Sequence, residues 1–232
     1  MKKSLKKLLS KVKRFVAPKN KVNNDASSNF NSKEYWENRY LSNNNSGAGS
    51  YGRLAKFKAK IINKFIVDNK INSVIEFGCG DGNQLKMANY PTYIGYDVSK
   101  KSVNICREVF KNDLKKSFKI YNPKTFNLAK NDIPDVVLSL DVIYHLIEEE
   151  VFEDYMKRLF SVAKKYVIIY SSNYNERIAN HVKCRKFTDW IDANVSSNWK
   201  LKEFIKNEFP FNKERHNDTS MADFYIYEYF NK

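Results

Sequence analysis

The residues able to do chemistry fall in four short stretches. Glu76 precedes a turn in which the glycines Gly78, Gly80 and Gly82 alternate with Cys79 and Asp81, and Asp97 lies 19 residues beyond the first of them. Asp141 to His145 reads Asp-Val-Ile-Tyr-His, while Tyr51 and Arg53 follow a polar small-residue segment, Asn43 to Ser50. Glycines so spaced let a backbone bend sharply and approach a ligand with no Cβ in the way. Val74, Ile75 and Phe77, β-branched or aromatic, supply the buried strand that enters the turn. A carboxylate at the position of Asp97, closing the next strand, is placed to receive the two hydroxyls of a ribose. The expected ligand therefore contains a nucleoside.

Two ligand classes use such a turn, dinucleotides and S-adenosylmethionine. A dinucleotide turn needs a further glycine where this chain has Asn83, and it holds a doubly negative pyrophosphate at a helix N-terminus. Glu76 and Asp81 repel pyrophosphate but suit a ligand bearing a sulfonium and an ammonium. Methyl transfer from a sulfonium is an in-line displacement in which the enzyme chiefly aligns donor and acceptor. A hydroxyl acceptor also needs a base, and a histidine titrating near neutrality suits that role. His145 stands at a strand end beside the expected site, next to Tyr144. His181 precedes Lys183, Arg185 and Lys186, a cluster suited to an anionic acceptor, and His216 reads as surface. Each has a plainer reading, His145 as a brace for the next helix, and Trp36, Trp190 and Tyr144 as core aromatics rather than stacking platforms.

The elements that must position these residues alternate between strand and helix. Strands are expected at 74–77, 93–96, 118–121, 136–140 and 166–170, with helices at 53–68 and 83–89 and around Val103 to Phe110 and Phe152 to Phe160. That alternation implies a Rossmann-like, doubly wound α/β sheet of seven strands, mostly parallel. Phe204 to Phe211 and Phe224 to Phe230 read as an antiparallel C-terminal hairpin closing its edge. The Gly/Ser segment between a short aromatic helix (Tyr35, Trp36, Tyr40) and helix 53–68 reads as a cover for the site or as a plain surface connection. The acidic run Glu148 to Glu150 reads as the complement of a helix N-terminus rather than a metal site.

The net charge of +15 is unevenly placed. Residues 1–22 hold nine basic side chains and no acid, leaving 32 basic and 26 acidic residues in the remainder. Leu5, Leu8, Leu9, Val12, Phe15 and Val16 share one helical face, with lysines around it and Pro18 after it. Residues 1–18 therefore read as a basic amphipathic helix suited to an anionic membrane surface, or as a frayed basic extension. Residues 19–32, rich in Asn and Ser, read as a flexible linker to a folded domain at 33–232, whose cover helices occupy 33–68. Three cysteines, widely separated and in no metal-ligand spacing, point to a reduced, cytoplasmic protein, peripheral to the inner membrane face if the basic helix binds it. No metal is expected, and no apolar stretch approaches the roughly 20 residues of a membrane span.

Residues 33 to 230 resemble the class I S-adenosylmethionine-dependent methyltransferases. Glu76, Gly78, Gly80 and Gly82 match that family's first motif, Asp97 the acidic residue closing its second strand, and Asp135 to Leu146 the run around its fourth strand. The resemblance implies that Glu76 and the Gly78–Gly82 backbone, Cys79 included, hold the methionine part of S-adenosyl-L-methionine, and that Asp97 with Val98 holds the ribose. It implies too that Asp141 and Val142 line the cofactor near its sulfonium. Tyr51 and Arg53 are candidates to close on the methionine carboxylate, Arg53 as a bidentate fork. Segments from Tyr35 to Tyr40, Asn45 to Phe57, Ser139 to Leu146 and Ala222 to Glu228 are similar to small bacterial methyltransferases that act in surface-polysaccharide synthesis. The expected acceptor is a small molecule or glycan, methylated at oxygen. An RNA acceptor is disfavoured, because no Asn/Asp-Pro-Pro-aromatic motif follows the fourth strand and no cysteine nucleophile stands there. A binding protein that keeps the cofactor site without transfer is the other alternative.

Overall fold

The computed structural model describes residues 30–129 and 132–230. Two continuous apolar runs make the centre of its sheet. β4 (Val136–Leu140) and β5 (Tyr166–Ser171) bury nearly every side chain, as parallel strands covered on both faces do. β1 (Val74–Phe77) pairs in parallel with β4, Val74 opposite Val136, and on its other side with β2 (Tyr93–Asp97). β3 (Lys116–Ile120) extends the sheet beyond β2. On the far side β9 (Asp223–Tyr229) runs antiparallel between β5 and β8 (Trp199–Ile205). The order is β3-β2-β1-β4-β5-β9-β8, the seven-stranded, mostly parallel sheet expected, with its reversal between β1 and β4. Ligands of such sheets bind beyond the carboxyl ends of the strands at that reversal.

Helices cover both faces. α1 (Ser32–Leu41) starts where Asn31 Oδ1 accepts the Glu34 N–H at 2.9 Å. α2 (Gly52–Asp68) and α3 (Lys100–Val109) place Ile62, Phe65, Val103 and Cys106 against Val74, Leu138, Ile168 and Phe224. α4 (Glu149–Ser161) and α5 (Phe187–Asn194) pack Phe152, Met156, Leu159 and Ile191 on the opposite face, against Ile75, Val137, Val167 and Ile169. Glu149 and Glu150 occupy the first turn of α4, where carboxylates complement the helix dipole.

Three local expectations are corrected. The helix expected at 83–89 is a single 3-10 turn, Gln84–Met87, because Pro91 and the side chain of Asn63, bonded to Met87 O and Asn89 N–H, direct the chain straight into β2. The strand expected at 204–211 lies earlier, at β8, and stops where Asn207 turns inward to the Tyr170 hydroxyl and Ala222 carbonyl. A small hairpin, β6 (Glu176–Ala179) with β7 (Val182–Cys184), and α5 fill a region in which the sequence pattern suggested no element. Among the described residues no helix is long and apolar enough to cross a membrane. The basic helix expected at 1–18 lies outside the described residues, as does nearly all of the linker at 19–32.

The position of β9 can be tested. Ile226, 0 % exposed in β9, packs on the α2 face, whereas Leu201 in the edge strand β8 is 48 % exposed. Urea denaturation should show a loss of about 2–5 kcal/mol for Ile226→Ala and a change within about 0.5 kcal/mol for Leu201→Ala. Equal losses would contradict the strand order.

Candidate functional site

The glycine turn leaves β1 at the sheet's reversal. Gly78, Gly80 and Gly82 have φ of 85°, 58° and 75°, the left-handed region. Its surroundings are tight: a Cβ on Gly78 would lie 2.4 Å from Val142 Cγ2, and one on Gly80 2.3 Å from Ser46 Oγ. Asp97 braces the turn from below, its Oδ2 accepting the Gly80 N–H and its Oδ1 the Ser99 N–H, both at 2.9 Å. Val98 follows, packed at the edge of the α4-side core. Burial pushes the Asp97 carboxyl up despite these hydrogen bonds. Cys79 lies beneath the turn, where its hydrogen bond with Cys106 and its burial hold the thiol well above the usual range, hence neutral.

The Gly/Ser segment lies directly on this turn. Asp81 Oδ2 accepts the Ser46 N–H at 3.0 Å and the Tyr51 hydroxyl at 2.8 Å, and the Asp81 N–H donates to Ser46 Oγ at 2.9 Å. Asn83 Nδ2 donates to Ser50 O at 2.7 Å. A Cβ on Gly49 would stand 2.7 Å from Asp141 Oδ2, so the cover also reaches the end of β4. Burial and the Asp81 bond raise the Tyr51 phenol to about 12, keeping it a neutral donor. α1 holds the cover in place through the Ser32 N–H, which donates to Glu148 Oε1 at 2.8 Å, and through Trp36, edge-on to His145 with centroids 4.9 Å apart.

Below the cover, carboxylates meet one ammonium. Asp141, at φ 60°, accepts the Tyr144 hydroxyl at 2.8 Å and Lys58 Nζ at 2.5 Å. Lys58 is 1 % exposed and also sits 5.3 Å from the Tyr170 ring centroid. Glu76 is 5 % exposed and accepts the Tyr93 hydroxyl at 2.7 Å. Burial raises Glu76 to about 7, a shift that Tyr93 and Lys58 oppose and that Asp97 and Asp141 reinforce. Sequence reasoning missed Lys58. The signal was available: Leu54, Lys58, Ile62 and Ile66 recur every four residues on the apolar stripe of α2, so one charge stood in a buried row.

The remaining candidates are placed less uniformly. Tyr144 reaches the site carboxylate. His145 donates from Nδ1 to His181 O at 2.8 Å, which leaves Nε2 as the free acceptor. The premise that His145 titrates near neutrality is corrected, since loss of water pushes it down to about 4. His181 stacks on Tyr35, with centroids 4.9 Å apart, so both histidines carry α1. Arg53 turns away from the glycine turn, donating from Nε to Asp218 O at 2.6 Å and lying over Phe209. Trp190 is buried in the α4-side core, its Nε1 donating to Glu153 at 2.8 Å.

Among the described residues Glu76, Asp81, Asp97 and Asp141 outnumber the single Lys58 ammonium, and the backbone at Gly80 admits no side chain. This donor set fits S-adenosylmethionine, whose ribose hydroxyls, ammonium and sulfonium are suited to carboxylates. Gly80→Ala should lower affinity for S-adenosylmethionine at least about tenfold, because both φ and the clash with Ser46 oppose it. Gly52→Ala, also at positive φ but with nothing within 4 Å of its Cβ, should change stability alone, by about 1 kcal/mol. Calorimetric titration and thermal unfolding of both variants check this.

Comparison with known proteins places this geometry. The methyltransferase-domain family profile matches residues 3–218. No curated protein is similar to the chain by sequence. Among solved structures, the N-methyltransferase NodS of Bradyrhizobium japonicum with S-adenosylhomocysteine superposes with a TM-score of 0.65 at 13% identity, covering 86% of this chain and 98% of that one. Magnesium protoporphyrin IX methyltransferase of Synechocystis with S-adenosylmethionine gives 0.63 at 14% identity, over 87% and 98%. A small RNA methyltransferase gives 0.58 at 20% identity, over 77% of this chain and 25% of its own. The chain belongs to the methyltransferase-domain family and is an S-adenosylmethionine-dependent methyltransferase.

Proposed function

We propose that the chain methylates an oxygen of a sugar, or of a precursor of a cell-surface polysaccharide. The observation that carries this reading is the Asp141 carboxylate at the end of β4. It accepts two hydrogen bonds, from Tyr144 and Lys58, and retains lone pairs for a third donor such as an acceptor hydroxyl. Ser171 and Ser172, buried at the end of the adjacent β5, have hydroxyls with no hydrogen-bond partner among the described residues, which suits a polyhydroxylated acceptor.

S-adenosylmethionine supplies an electrophilic methyl group on a sulfonium. Glu76 and the Gly78–Gly82 backbone hold its methionine part, and Asp97 with Val98 holds its ribose. Val142 packs so closely on Gly78 that a Cβ there would collide with it. The cover from Ser46 to Tyr51 excludes water, and Asp141 takes the proton of the acceptor hydroxyl while Lys58 and Tyr144 fix its orientation. Asp141→Asn should cut turnover about a hundredfold or more, read as S-adenosylhomocysteine released with sugar and polysaccharide acceptors. Turnover with RNA but with none of these would overturn the reading.

Glu76 gives the site a pH dependence. Its folded-state pKa of about 7 lies above the usual 4.5, so the folded protein binds the extra proton. This contribution to stability is present at low pH and is lost as pH rises through about 7. Ionised Glu76 in turn attracts the cationic donor, so affinity for S-adenosylmethionine should rise between about pH 6 and 8. Glu76→Gln should flatten both trends in calorimetry and thermal unfolding. A donor affinity that still rises in Glu76→Gln as in the parent would contradict the assignment.

The proposal includes attachment to an anionic membrane surface through residues 1–18, whose lysines would each contribute about 1 kcal/mol near such a surface. Deleting those residues should weaken binding to anionic vesicles, and unchanged binding would contradict it.

A further inference from the structure

We propose that α3, β3 and the turn between them form a second docking face, for an anionic lipid bilayer. The observation is where the charge sits. Outside residues 1–22 the chain has 32 basic and 26 acidic side chains, a net +6. Residues 100–124 alone contain eight basic and two acidic residues, again +6, so the remainder of residues 23–232 is balanced. The two acids are already used: Glu108 pairs with Lys111 at 2.6 Å and Asp113 pairs with Lys116. Lys100, Lys101, Lys115, Lys119 and Lys124 have no ion-pair partner among the described residues, and all but Lys101 are exposed.

The shape of this face identifies the partner. β3 is an edge strand, paired with β2 alone, so its outer side is uncovered. The turn joining α3 to it carries Leu114 at 99 % exposure, between Lys111 and Lys115. An apolar side chain fully in water beside lysines is the arrangement of a bilayer contact, the leucine entering the acyl boundary and the ammonium groups meeting headgroups. A phosphate backbone would use the lysines but not the leucine. Nor does this unit offer rings for base stacking, since Phe118 and Tyr121 are buried and Phe110 stacks on Phe118 with centroids 5.5 Å apart. The inference holds whatever acceptor is methylated, and it does not involve residues 1–22.

The test uses the full-length chain with residues 1–22 intact. Sedimentation with phosphatidylcholine vesicles, with and without phosphatidylglycerol, at about 0.15 M salt should show binding only to the anionic ones. Leu114→Ser, and separately Lys115→Glu with Lys119→Glu, should each weaken it about tenfold or more. Affinity for S-adenosylmethionine and the thermal midpoint should stay unchanged. If charge reversal lowers the midpoint, Lys115→Ala with Lys119→Ala gives the same reading with a smaller loss. Vesicle binding equal to the parent in these variants would overturn the proposal. So would variants that bind a single-stranded RNA more weakly while binding vesicles as before.

Discussion

The site depends on the cost of holding carboxylates away from water. Glu76, Asp97 and Asp141 stand at the carboxyl ends of three neighbouring strands, and the described structure gives them one ammonium, that of Lys58. A buried carboxylate without a full complement of partners either protonates or recruits hydrogen bonds. All three recruit them. Asp97 takes backbone N–H groups from Gly80 and Ser99, Asp141 takes Lys58 and Tyr144, and Glu76 takes Tyr93 while burial raises its carboxyl to about 7. Asp97 thus braces the glycine turn, and the carboxylates together set up a negative field of the kind that suits a sulfonium donor. A pyrophosphate would meet the opposite field.

The cover follows from the same constraint. Asp81 is the one carboxylate of the set carried on the turn itself, and it is Asp81 that gathers Ser46 and Tyr51. Because Gly49 meets Asp141 while Ser46 meets Gly80, one short segment spans the distance between the turn and the end of β4. α1 then needs only to anchor that segment, which it does on the turn after β4 through Ser32, Trp36 and the paired histidines. His145 is better understood within this anchor, as a neutral imidazole between Trp36 and His181.

What the sequence made legible was local. Glu76, the glycines and Asp97 lie within 22 residues of each other, and their spacing is set by one strand, the glycine turn with the single 3-10 turn after it, and the next strand. Strands buried on both faces also stood out, because continuous apolar runs have few other readings. What stayed hidden depends on distant partners. Lys58 stands in the apolar row of α2, but its partner Asp141 emerges only once α2 is laid against β4 and β5. Arg53 follows Tyr51 closely, yet its direction is set by the 207–219 connection, which no pattern placed. The β6–β7 hairpin is short and half exposed, so its alternation was too weak to read, and β8 was displaced because its end is fixed by Asn207 bonding across to Tyr170.

The most direct test of this account is a crystal structure of the full chain with S-adenosylhomocysteine. The methionine part should lie against the Gly78–Gly82 backbone, the ribose hydroxyls on Asp97, and the sulfur should face Asp141 and Val142 beneath the Ser46–Tyr51 cover. Ligand density elsewhere on the sheet, or a sulfur turned away from the end of β4, would contradict it.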